Sequence, residues 1–392
     1  MGQGKNSQQM PSCDYRFIDT EETLAEFTHK AQRSEIIALD IEGDSMFHYQ
    51  EKVCLIQMAA NSQTVVIDPL KIKDLSLIRP LLESQNIPKV IHGADYDVRS
   101  IYRDFGISIG NLFDTQLASM YMGWTETSLE AVVARQFGVE LDKKYQKKNW
   151  SRRPLPEEMV AYAASDVAYL IPLAHYLSRE LKRRGRLEWV TEQCRLLSAV
   201  RPPKNNDGPL FIKFKGAGRL EPRQLAVLEA LLQMRNAIAR QKDRPLFKII
   251  SNTALKKIAV APPSSLDRLQ GSKALSDKQY DMYGKAVMEA VRNAQCIPKA
   301  QLPKYPRQRS PKVPRQVPAR VKALRTWRDQ EAQKLDLNPA LLLNRALIKS
   351  IAVDNPTDIE ALGKVEGIHQ WQADTFGEAI LDVLRGRHLK RA

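Results

Sequence analysis

The stretch EIIALDIE, residues 35–42, decides how the first half of this 392-residue chain is read. It is rich in β-branched and apolar residues and ends in two carboxylates one residue apart, Asp40 and Glu42. Such a run predicts a strand. Side chains alternate along a strand, so both acids point to one face and Ile41 to the other. Two similar runs follow closely, VCLIQMAA at 53–60 and TVVIDPL at 64–70, and three strands so near one another predict an antiparallel meander. Working outward, KVIHG at 89–93 predicts a fourth strand opening into the helical pattern DYDVRSIYRDFG. From Thr115 to Glu192 the period is mainly helical, interrupted by the basic loop LDKKYQKKNWSRRPLP at 141–156. The expectation is one α/β domain over residues 14–200, a mixed sheet with helices packed on it.

The loop RPPKNNDGP at 201–209 marks a boundary, beyond which the pattern is purely helical. A weak internal repeat appears there at a spacing of about 93 residues: MRNAIARQKDRPLFKIISNTALKKIA from Met234 and WRDQEAQKLDLNPALLLNRALIKSIA from Trp327. Arg235 matches Arg328, Ala239 matches Ala332, and Pro245 matches Pro339 after a one-residue shift. Two small all-α domains are expected, at 215–297 and 320–390. Between them the Pro-rich, basic stretch 298–319 is expected to be a semi-rigid linker.

Charge is divided unevenly along the chain. Residues 1–200 hold 24 Lys/Arg against 27 Asp/Glu, a net of −3, whereas residues 201–392 hold 36 against 18, a net of +18, and so carry the whole positive excess of a chain of net charge +15. A polyanion partner accounts for this better than a solvated surface does, since basic side chains release counterions from phosphates. No stretch approaches the roughly 18 apolar residues of a membrane helix, which argues against membrane insertion. The start, MGQGKNSQQMPSC, has no apolar h-region and departs at Asn6 from the myristoylation pattern. The scattered cysteines Cys13, Cys54, Cys194 and Cys296 form no disulfide or zinc framework, so a cytoplasmic, reducing setting is expected.

Two like charges as close as Asp40 and Glu42 are costly unless a cation holds them. A third acid comes from HGADYDVRS, where Asp97 falls in the first turn of the predicted helix. His92 in the same segment suits a backbone-bonded structural role better than metal ligation. A fourth acid lies in EEMVAYAASDVAYL: Tyr162 and Asp166 are spaced i, i+4 and share one helix face. A carboxylate in so apolar a helix needs a partner, and a metal ion would be one.

In this order and separation, LDIEGDS, HGADYDVRS and YAASD resemble the three exonuclease motifs of the DEDD superfamily in its tyrosine branch. The histidine branch would need His where Ala161 stands. The exonuclease domain followed by two helical repeats resembles the bacterial ribonuclease D family, whose repeats are HRDC domains, and the similarity runs from about residue 14 to 385. The resemblance implies a ribonuclease H-like mixed-sheet domain followed by two HRDC-like domains. It implies 3′→5′ hydrolysis of RNA to nucleoside 5′-monophosphates with two divalent ions, Mg²⁺ or Mn²⁺. Asp40, Glu42, Asp97 and Asp166 would hold the metals, and Tyr162 would orient the attacking water. His92, Lys143, Trp150 and Arg153 are candidate substrate contacts, with Trp150 alternatively a packing anchor. Asp114 in LFDTQLAS either supports the site or caps a helix. Gly43 departs from the family pattern, in which a bulky aromatic often follows the glutamate.

The implied partner is RNA with a free 3′ end, precursor tRNA foremost, with no membrane and no obligate protein partner indicated. Two alternatives stay open at this point: a 3′→5′ DNA exonuclease on the same chemistry, and a non-catalytic RNA-binding protein. The helical half is expected to be separable, so that deleting 210–392 would weaken RNA binding and spare hydrolysis of short oligomers.

Overall fold

Six strands build one sheet: β1 (Tyr15–Ile18), β2 (Ile37–Gly43), β3 (Val53–Ala60), β4 (Gln63–Ile67), β5 (Lys89–Ile91) and β6 (Leu112–Asp114), in the order β1-β4-β3-β2-β5-β6. This is a computed structural model, and it describes residues 14–203, 208–306 and 314–386. β2, β3 and β4 form the expected antiparallel meander. β1 pairs parallel to β4, and β5 and β6 extend the sheet in parallel from β2. The two outer strands were not anticipated: four and three residues are too few to show a period of two.

Besides a short helix at Arg79–Glu83, the helices of this region are α1 (Glu21–Ala31), α2 (Asp95–Phe105), α3 (Thr115–Tyr121), α4 (Leu129–Phe137), α5 (Glu157–Ala168), α6 (Leu170–Arg183) and α7 (Leu187–Ser198). Alternation along the strands sorts the core into two layers. Leu39, Ile41, Ile56, Met58 and Ile67 pack with Leu24 and Phe27 of α1 and Val98 and Ile101 of α2. On the opposite face, Leu55 and Val66 meet Val160, Ala163 and Ala164 of α5, and Ala38 and Val90 meet Val167 and Leu170. Asp40 and Glu42 belong to this second face, beneath α5.

Beyond residue 200 come α8 (Pro222–Gln241), α9 (Asn252–Val260), α10 (Asp277–Gln295), α11 (Val317–Leu335), α12 (Arg345–Asp354) and α13 (Gln370–Leu384), with short helical turns between them. The 93-residue repeat is carried by its polar anchors. Arg235 donates to the Ile250 carbonyl and Arg328 to the Leu343 carbonyl. Gln279 donates to Ile249 and Gln372 to Leu342. Ser251 and Asn344 cap α9 and α12, and Ser276 and His369 open α10 and α13 with capping boxes. α11 already begins at Val317 with a proline in its first turn, so the expected linker end at 319 lies inside a helix. Residues 307–313 of that linker lie outside the described residues, as do 387–390 of the expected second domain.

The chain divides into two compact units. One takes Met1–Gly43, Val53–Pro202 and Pro311–Ala392; the other takes Asp44–Lys52 and Pro203–Ser310. In the first unit, the second helical repeat shares a core with α3 and α7. Trp371 of α13 stacks on Trp189 at 4.6 Å, and Tyr121 stands edge-on to both rings. The Glu192 carboxylate accepts 2.8 Å hydrogen bonds from the N–H groups of Gln370 and Trp371 at the start of α13. Arg186, buried, donates to the carbonyls of Tyr121 and Leu335. The expectation of a separable helical half is therefore corrected: an all-helical pattern does not reveal that one apolar face of the repeat completes the core of an earlier domain.

In the second unit, α8, α9 and α10 close a core of their own, and the segment Asp44–Lys52 packs with them. Tyr49 donates its hydroxyl to Asn236 at 2.7 Å, and His48 Nδ1 lies 2.7 Å from Asp243. No helix among the described residues is long and apolar enough to cross a membrane.

Candidate active site

A cavity of about 460 Å³ opens where the ends of β2 and β5 meet α5, with Asp40, Glu42, Tyr162 and Asp166 in its wall. Asp40 lies inside the β2–β3 ladder, opposite Gln57. Glu42 is the last residue before a register shift: it faces Leu55, while Gly43 faces Val53. The extra residue, Cys54, lies on β3; such a bulge increases the local twist one residue before β2 ends, so that the glutamate is delivered to a strand end. Carboxylate oxygens of Asp40, Glu42 and Asp166 lie within 4.8 Å of one another. Asp97, buried in the first turn of α2, does not line the cavity, but its charge acts on Glu42 and that of Asp40 acts on it.

Electrostatics show what this proximity costs. Burial raises the Asp40 carboxyl to about 7, opposed by a hydrogen bond from the Ile41 N–H. Glu42 is pushed up to about 10, first by burial and then by the charges of Asp40, Asp166 and Asp97. Asp97 and Asp166 are raised by burial and by Asp40. No ion pair joins any of the four to a cationic side chain among the described residues; the cation at the rim, Lys143, pairs with Glu130 instead. Four crowded carboxylates without a counter-charge fit divalent cations, and an oxygen-only donor set suits hard ions such as Mg²⁺ or Mn²⁺.

Tyr162 sits one turn before Asp166 on α5. Burial, then Asp166 and Glu42, raise its phenol well above the ordinary value, so the proton stays on the ring oxygen at neutral pH. Its ring is held by the loop before α5: Trp150 stacks on it at 6.2 Å, and Tyr145 meets it edge-on at 5.8 Å. Trp150 is only 1% exposed. As a substrate contact it is therefore corrected to the packing anchor that the sequence left as the alternative.

Arg153 is corrected likewise. Its guanidinium forks onto the fully buried Asp68 at 2.6 and 2.7 Å and also donates to the carbonyls of Trp150 and Cys54, which ties the loop to the sheet. His92 lines the cavity, but both ring nitrogens are engaged: Nε2 donates to the Thr127 carbonyl and Nδ1 lies 2.9 Å from the Thr115 hydroxyl. Burial lowers its pKa, so it is a neutral structural tie rather than a phosphate contact. Of the four candidate substrate contacts, Lys143 keeps an exposed side chain at the cavity rim.

Of the two roles open to Asp114, the structure shows the helix cap. It caps α3 by accepting from the N–H groups of Gln116 and Leu117, and it accepts from Gly93 and Ala94 at 2.9 Å. The turn that leads into α2 and Asp97 is pinned in this way, with Gly93 at φ +76°, a conformation that glycine adopts readily. The sequence reading overlooked Gln57, Gln116, Glu130 and Tyr145. Glu130 and Tyr145 carried no signal beyond composition, whereas a glutamine inside the apolar run VCLIQMAA was a visible anomaly.

Comparison with known proteins agrees with this geometry. The family model for a 3′–5′ exonuclease domain matches residues 15–182, and that for the HRDC domain matches residues 224–291 and 317–384. Ribonuclease D of Gluconacetobacter diazotrophicus is 28% identical over 95% of this chain and 93% of its own length. Ribonuclease D of Cronobacter turicensis is 31% identical over 73% of this chain and 78% of its own. The crystal structure of Escherichia coli RNase D, described as an exoribonuclease involved in structured RNA processing, superposes with a TM-score of 0.70 at 26% identity, covering 95% of this chain and 99% of that one.

Proposed function

This chain belongs to the ribonuclease D family and is a 3′–5′ exoribonuclease of that type, and from this premise we propose that it trims structured RNA, precursor tRNA foremost, through two divalent cations held by Asp40, Glu42, Asp97 and Asp166. The observation that carries the reading is the convergence of three carboxylates within 4.8 Å, with a fourth electrostatically coupled to them and no cationic side chain as partner. When bound, the cations would activate a water and stabilise the departing 3′ oxygen. The water's hydroxyl joins phosphorus, the P–O3′ bond breaks, and the shortened RNA takes the proton, releasing a nucleoside 5′-monophosphate.

The protein's own residues supply position and protons. Tyr162 orients the attacking water by hydrogen bonding; a phenol, which ordinarily ionises at about pH 10, is a poor match for a general base at neutral pH. Trp150 and Tyr145 hold its ring in place. Lys143, paired with Glu130 at the rim, would meet a backbone phosphate. The basic excess of residues 201–392 favours an extended polyanion, and the E. coli relative acts in structured RNA processing, which supports a folded RNA with a 3′ tail as substrate.

The test is incubation of wild-type and Asp40→Ala protein with 5′-labelled RNA bearing a 3′ tail and with matched DNA, each with Mg²⁺, Mn²⁺ or EDTA. The expected result is a metal-dependent ladder shortening from the 3′ end of RNA, absent in the variant, with extended precursor tRNA trimmed to a defined stop. Equal trimming of DNA would overturn the RNA assignment. A precursor degraded without a stop would overturn the tRNA-processing reading.

A further inference from the structure

β3 is a central strand whose other side chains are apolar, and in its middle stands Gln57, fully buried. Neither its amide nitrogen nor its amide oxygen has a hydrogen-bond partner. An amide buried in this way costs about 1–3 kcal/mol. A leucine of similar size would pack against the same neighbours without that cost. Bulk alone therefore does not account for a glutamine here.

Register shows what the amide faces. Gln57 is the direct cross-strand partner of Asp40. Directly opposed residues of an antiparallel pair point to the same face, with Cβ atoms about 4.5–5.5 Å apart. Gln57 thus lies on the face covered by α5, flanked along its strand by Leu55 and Ala59 and across it by Val66. Of the residues that α5 lays on this face, Val160, Ala163, Ala164 and Val167 are apolar, and Tyr162 joins the same layer with its ring against Trp150. The polar group in register with the amide is the carboxyl of Asp40.

We propose that Gln57 is a positioning residue for the cation site: its amide N–H is held for the Asp40 carboxylate and fixes that carboxylate's orientation once a cation is bound. The inference rests on the proposed cation-binding role of Asp40. With Asp40 charged by the presence of a cation, an amide donor behind it both satisfies the buried N–H and leaves the remaining carboxylate lone pairs directed at the ion. Partners of this kind behind a ligand typically change metal affinity 10–100-fold when removed. In the cation-free protein the same amide is a net burden.

These two statements make opposite predictions for one substitution. Gln57→Leu should melt at or above the wild-type temperature in EDTA, and should bind Mn²⁺ at least 10-fold more weakly by calorimetric titration without RNA. Gln57→Met, unbranched and similar in length, should behave alike and guards against a packing defect peculiar to leucine. Equal Mn²⁺ affinity in wild type and both variants would overturn the proposal. So would a melting temperature in EDTA lowered in both, which would make Gln57 a structural prop. Wild-type protein that takes up no Mn²⁺ would instead sink the reading of the acidic site itself, so the two failures are distinguishable.

Discussion

The two helical repeats share one scaffold and put it to different uses. Both hold the same carbonyls with an arginine and a glutamine 93 residues apart, and both open their last helix with a capping box. They differ in what they show on one side. Where the first repeat has exposed Lys278 and Arg244, the second has buried Trp371 and Leu337. The first encloses its own core, while the second shares one with α3 and α7. A few lysine- or arginine-to-apolar differences on a shared frame separate a domain with a solvated face from one that completes its neighbour. The consequence reaches the acidic site. Tyr121, packed on Trp371, ends α3; Asp114 at the other end of α3 pins the turn before Asp97.

Truncation after Tyr305 is the severest way to break this comparison. It uncovers Tyr121 and Trp189, and the remaining protein is expected to lose cooperative melting and RNA hydrolysis together. A truncated protein that melts cooperatively and still trims RNA would restore the separable-module picture. Next in size, Trp371→Ala should cost about 3–5 kcal/mol in denaturant unfolding, against about 0.5 kcal/mol or less for Lys278→Ala at the matching position of the first repeat. Equal costs would erase the distinction between the repeats. Smaller still, Glu192→Ala should cost about 1–2 kcal/mol through loss of the two N–H contacts at the start of α13.

Much of this was legible in the sequence because it depends on local spacing. The alternation in EIIALDIE placed both carboxylates on one face, and the i, i+4 pair Tyr162 and Asp166 placed the other two groups on one side of a helix. What was not legible depends on partners distant in sequence. Arg153 reads as a substrate contact until Asp68, 85 residues away, is found beneath it. Trp150 is equally exposed or buried on paper, and only the ring of Tyr162 decides between them. The shared core of the second repeat is the largest instance, since Trp371 meets Trp189 across 182 residues of chain.

The most direct test of the account is the pH dependence of melting without cations. A carboxyl whose folded pKa lies above its unfolded one stabilises the fold fully below the unfolded value, and loses that contribution as pH rises through the folded value. For Glu42 the window runs from its ordinary value near 4.5 to about 10. In EDTA, Glu42→Gln should therefore melt progressively higher than wild type as pH is raised from 5 to 9, while showing no RNA hydrolysis in Mn²⁺. A Glu42→Gln protein that melts lower than wild type throughout that range would mean that the carboxylates are satisfied without cations, and would contradict the account.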